Sequence, residues 1–86
     1  MVSVSDTLTE RKKLHGPFAI HAEIENRLRL VLEKHGIALT PVQYVALGMI
    51  MHKIARILNK GYDHIDSWHD IAGYATLVER DMEDNG

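Results

Sequence analysis

These 86 residues contain no cysteine, which excludes disulfides and thiolate metal sites together. No apolar run approaches the ~20 residues that span a bilayer. The N-terminal "MVSVSDTLTERKK" lacks the apolar core of a signal peptide. Repeats, low-complexity segments and strand-like alternation are missing too. Cationic charge is also scarce, with 10 Lys and Arg against 12 Asp and Glu and a formal net charge of −2. Its one run is "RKK" at 11–13, and the C-terminal "ERDMEDNG" is acidic. Long DNA or RNA needs a basic stripe that displaces counterions from phosphates, so it is not the expected partner. A small phosphate-bearing ligand needs only two or three placed cations. A soluble, cytoplasmic protein with no membrane association is the expectation.

What is present fits one small globular domain, with 45% hydrophobic and 26% charged residues. A chain of this size buries only roughly 60–65% of its unfolded surface. Its core is therefore marginal unless a metal held by oxygen or imidazole, or self-association, adds to it.

Only two prolines occur, and each falls where a helix is expected to begin. "HGPF" places Pro17 at the start of a helix over about 17–35. There Ile20, Ile24, Leu28, Val31 and Leu32 recur at helical spacing, and "EKHG" ends it at Gly36. Glu23–Arg27 and Glu25–Arg29 form i,i+4 pairs on its polar side. "TPVQ" starts a second helix, with Thr40 as cap, Pro41 at the first position and Gln43 completing a capping box. It runs to about residue 59, and "NKG" supplies the stop at Gly61. A third helix over about 66–81 is capped by Asp66. Residues 1–13 and 82–86 read as flexible ends around a single helical domain over 14–81. The expected fold is all-α, a three-helix protomer. The second helix has one apolar arc at Val42, Ala46, Met49, Ile50 and Ile57 and another at Leu47, Met51, Ile54 and Leu58. A helix apolar on two sides must be covered on two sides, so a homo-oligomer is expected to form through it, with a dimer as its smallest form.

Lys53 projects from the first of these arcs, with Arg56 beside it. A buried cation must meet an anion. Asp66 and Asp70, one turn apart on the third helix, are the best candidates within the chain. One outcome is an ion pair from Lys53 or Arg56 to Asp70 that only sets helix register. In the other, the two carboxylates hold Mg²⁺, with Mn²⁺ as a substitute, while Lys53 and Arg56 hold phosphates. Gly73 lies one turn beyond Asp70 and opens space. Trp68 and Tyr74 either stack on a base or pack in the core. His64 and His69 lack i,i+4 spacing for one helix face. His21 and His35 lie near the apolar arc and are expected to pack or cap.

Taken in order, "HGPF" at 15–18, "HKIARIL" at 52–58 and "DSWHDIAGYATL" at 66–77 resemble the small phage-type MazG-like proteins, including the dATP/dGTP diphosphohydrolase-like group. The resemblance covers about residues 15 to 79, and D-x-W-x-D-I-A-G-Y-A is its specific part. It implies an all-α oligomeric nucleoside triphosphate pyrophosphohydrolase, phage-encoded and working in the host cytoplasm. Such an enzyme splits a nucleotide between the α and β phosphates with Mg²⁺ and water. Asp66 and Asp70 would be metal ligands, Lys53 and Arg56 would face phosphate, and His15, Phe18 and Trp68 would shape the nucleotide pocket. The family also carries an E-E-x-x-E cluster on the preceding helix, where this chain has no Asp or Glu between Thr40 and Lys60. Glu23 and Glu25 in "HAEIEN" are the candidate catalytic replacements. A second expectation follows from the missing cluster: a non-catalytic oligomer that sequesters a nucleotide or nucleotide-derived signal, or docks on a partner protein.

Overall fold

A computed structural model describes residues 3–85, except for the side chains of residues 11–15. Four helices run in order: α1 Val4–His15, α2 Phe18–His35, α3 Pro41–Arg56 and α4 Ile65–Asn85. A π-helical turn, Ile57–Gly61, follows α3 directly. No strand occurs among the described residues. The all-α expectation holds, but the count of three helices does not.

The extra helix is α1, over residues expected to fray. Ser3 starts it: the Ser3 hydroxyl accepts from the Asp6 backbone N–H at 3.1 Å, and Asp6 places a carboxylate in the first turn. Residues Ser3 to Glu10 remain exposed, and the helix packs on the π turn. Gly16 then turns the chain at φ +75°, a conformation that disfavours any side chain. The corner sits against Asn59, whose amide donates to the Pro17 carbonyl at 3.0 Å. A Cβ on Gly16 would lie 2.7 Å from that amide's oxygen, so the close approach needs glycine twice over.

α3 begins as its sequence predicts. The Thr40 hydroxyl accepts from the Gln43 N–H at 3.2 Å, and the Gln43 side chain accepts from the Thr40 N–H at 3.0 Å. Its α-helical run ends at Arg56, three residues early, and the wider turn carries the chain to the expected stop at Gly61. α4 begins at Ile65, so Asp66 lies in the first turn and is not the cap. The helix continues to Asn85, through the segment read as a flexible tail.

α3 is the centre of the fold, packed on α2 and on α4. Its buried residues are small, namely Ala46, Gly48 and Ala55, and Ser67 is buried on α4. Small residues at contacts let helix axes approach closely. Leu32 and Ile57 complete the buried apolar set. α2 and α4 thus both pack on α3 within one chain. Apolar surface stays bare on α3 itself at Val42 and Val45, in the turn after it at Leu58, and away from it at Phe18 (79% exposed) and Ile65 (78% exposed). The Cα radius of gyration is 15.1 Å, against about 12 Å for a compact domain of this length.

Candidate functional site

Two polar clusters flank α3, and they use neighbouring residues of it. The first joins α3 to α4. Lys53 Nζ donates to Asp70 Oδ2 at 2.9 Å, with the Lys53 side chain 14% exposed and Asp70 more open. This is the interhelical pair anticipated for Asp70. The hydrogen bond from Lys53 holds the Asp70 carboxyl below its ordinary range. Partial desolvation opposes the shift, and the charges of Lys53, His69 and Arg56 add to it. Three cationic or protonatable groups therefore surround one carboxylate.

That balance bears on Mg²⁺, which favours several oxygen ligands and anionic surroundings. Asp66 is exposed in the first turn of α4. Glu23 is exposed and accepts from Arg27 at 3.0 Å. Glu25 belongs to the second cluster. Within one copy of the chain, Asp70 neutralised by Lys53 together with an exposed Asp66 fits Mg²⁺ poorly.

The aromatic candidates lie apart. The Trp68 indole donates to the Tyr62 carbonyl at 3.0 Å while over half of its surface stays open. Phe18 stacks on the His21 ring at 5.8 Å between centroids. Tyr74 lines a shallow depression on α4 with His69, Asp70, Gly73, Leu77 and Arg80. His15 ends α1, and its side chain lies outside the described residues.

The second cluster joins α2 to α3 and was not anticipated. Glu25 Oε1 lies 2.8 Å from His21 Nε2 and 2.6 Å from His52 Nδ1. The two ring nitrogens are 3.3 Å apart. Arg29 Nε donates to the other oxygen, Oε2, at 2.7 Å, and its Nη2 reaches the Gly48 carbonyl at 3.3 Å. The Glu25–Arg29 pair, expected on the polar face of its helix, instead turns toward α3. Burial raises the Glu25 pKa, but hydrogen bonds from Arg29, His21 and His52 outweigh it and bring it to about 2. His21 is buried, at 6% exposure. The sequence signal was present in "HAEIE", whose His21 and Glu25 are spaced i,i+4 on one helix face. The third member, His52, comes from another helix, and no local spacing reveals it.

A family model described as a domain of unknown function (DUF6378) matches residues 3–81, and the chain belongs to this family. It is also similar to the "Gene 55 protein" of Mycobacterium phage L5, with 49% identity over 47 residues. The match covers 55% of this chain and 29% of that protein, so the chain spans under a third of that relative's length. No solved structure matches significantly. Among the described residues, no helix is long and apolar enough to cross a membrane.

Proposed function

We propose that this member of the DUF6378 family is a helical homodimer that binds a nucleotide, or another small phosphate-bearing ligand, without hydrolysing it. The observation that carries this is the Lys53–Asp70 ion pair at 2.9 Å, with Arg56 and His69 adding cationic character around the same carboxylate. Asp70 serves as an internal stand-in for phosphate. A ligand phosphate competes for Lys53 and gains charge-assisted hydrogen bonds there.

The exposed area calls for a second copy. The accessible surface is 6591 Å², against roughly 5,200 Å² for a compact monomer of this mass. The excess exceeds the ~800 Å² that each partner contributes to a standard interface. Ile65, Trp68, Ala72, Gly73, Thr76 and Leu77 recur along one side of α4, and all are exposed. A Cβ on Gly73 would meet no atom within 4 Å. This stripe is the assembly face.

The test is a panel of nucleotides with Mg²⁺ and with Mn²⁺, followed by melting temperature and by pyrophosphate release. A stabilising nucleotide recovered intact supports binding. Lys53→Ala should weaken that binding by about tenfold or more, while Asp70→Asn should preserve or improve it. Pyrophosphate release that Asp70→Asn abolishes would instead establish the Mg²⁺-dependent pyrophosphohydrolase. That enzyme would need Asp66 and Asp70 to be joined by further carboxylates from a second copy.

A further inference from the structure

We infer that His21, Glu25 and His52 form a binding site for a divalent transition metal of the Zn²⁺ type, separate from the Lys53–Asp70 pair. Two ligands come from one face of α2 at i,i+4 spacing, and the third comes from α3. Facing helices of a bundle build metal centres from such side chains. Two imidazole nitrogens and one carboxylate oxygen suit borderline metals such as Zn²⁺ better than Mg²⁺ or Ca²⁺.

The proton arrangement gives an independent reason. Glu25 Oε1, His21 Nε2 and His52 Nδ1 form a triangle with edges of 2.8, 2.6 and 3.3 Å. A carboxylate only accepts. Satisfying both edges to Oε1 therefore puts a proton on each facing nitrogen, and the two N–H groups then crowd each other at 3.3 Å. Removing either proton satisfies the nitrogen–nitrogen edge but sets a bare nitrogen against the carboxylate. Two N–H groups can share Oε1, but only with their nitrogens held close together; one cation between the three atoms would take that crowding away.

The distances also suit a metal. All three ligand atoms lie within 4.8 Å of one another. A tetrahedral ion with bonds of about 2.0–2.1 Å holds its ligand atoms about 3.3 Å apart. The nitrogen–nitrogen edge already meets that, and the two shorter edges of 2.8 and 2.6 Å open by about 0.5 and about 0.7 Å. The surroundings hold the ligands in place. Arg29 takes Oε2 at 2.7 Å and leaves Oε1 to the metal, a fixed monodentate carboxylate. Phe18 stacks on the His21 ring within 8° of parallel. His52 is the partly open member, 30% exposed, and marks the side from which the ion and a remaining water ligand enter.

The experiment uses the full chain after chelator treatment, titrated calorimetrically with Zn²⁺ alone. One ion per chain and a raised melting temperature are expected. Co²⁺ should give the visible d–d absorption of a low-coordinate site. Glu25→Gln and His52→Ala should each weaken Zn²⁺ binding by about tenfold or more, with circular dichroism reporting whether they fold. Should both variants fail to fold, the Co²⁺ spectrum of the unaltered chain decides alone. Absence of stoichiometric binding, or variants that bind as the parent does, would overturn the site and leave a hydrogen-bonded clasp between α2 and α3. Neither result depends on nucleotide binding at Lys53.

Discussion

The Arg29 guanidinium occupies the place a side chain at position 48 would take, with Nη1 3.0 Å from where a Cβ on Gly48 would stand. This juxtaposition lets one arginine bridge α2 to α3 while it fixes the Glu25 carboxylate. Gly48→Ala meets only the flexible end of Arg29 and gains up to ~1 kcal/mol of helix propensity, so it should be nearly neutral. Gly48→Leu must push the guanidinium away and should cost about 1–3 kcal/mol. Urea denaturation of both variants checks this ordering; equal stabilities would contradict it.

Glu25 makes stability depend on pH in a stated direction. Its folded pKa of about 2 lies below the ordinary value of 4.5. A depressed carboxylate contributes stability that is complete above the unfolded pKa and is lost as pH falls through the folded one. The loss therefore spans pH about 4.5 to about 2 and amounts to roughly 1–3 kcal/mol after solvent screening. Unfolding of metal-free protein across this range, compared with Glu25→Gln, should show a shallower acid loss in the variant. Identical curves would assign acid sensitivity elsewhere.

Gly73 separates folding from assembly. Within one chain a Cβ at position 73 meets nothing within 4 Å, and Gly73→Leu should stabilise α4 by up to ~1 kcal/mol through helix propensity. On the assembly face the added side chain should block close approach. Light scattering coupled to gel filtration should find a dimer for the parent and a monomer for the variant. A dimer that survives Gly73→Leu would place the contact on another face.

Ser3 is expected to govern α1 and little else. Ser3→Ala removes the oxygen that accepts from the Asp6 N–H at 3.1 Å and should cost about 0.5–2 kcal/mol of local helix stability. Amide exchange within residues 4–10 should rise while α3 is unaffected. Uniform destabilisation of the chain would mean that α1 is part of the cooperative core.

Local signals predicted local structure well. The capping box at Thr40 and Gln43 and the stop at Gly61 are written in contiguous residues, because caps satisfy backbone groups within one turn. α1 was missed because its polar sequence lacks an apolar period, although Ser3 followed by Asp6 carried a start signal. The Lys53–Asp70 pair was legible because an apolar helix face that carries a lysine demands an anion. Glu23 and Glu25 read alike in "HAEIEN", yet one is a surface partner of Arg27 and the other meets two histidines.

The sequence by itself therefore determined an all-α chain, the span of α2, the capped start of α3 and the need of Lys53 for a carboxylate, since each follows from short-range spacing and charge. Only the tertiary structure decided that α2 and α4 both pack on α3 within one chain. It alone brought His52 onto Glu25 across two helices. That meeting depends on how α2 rotates and slides against α3, which packing around Gly48 and Arg29 sets and no local pattern encodes.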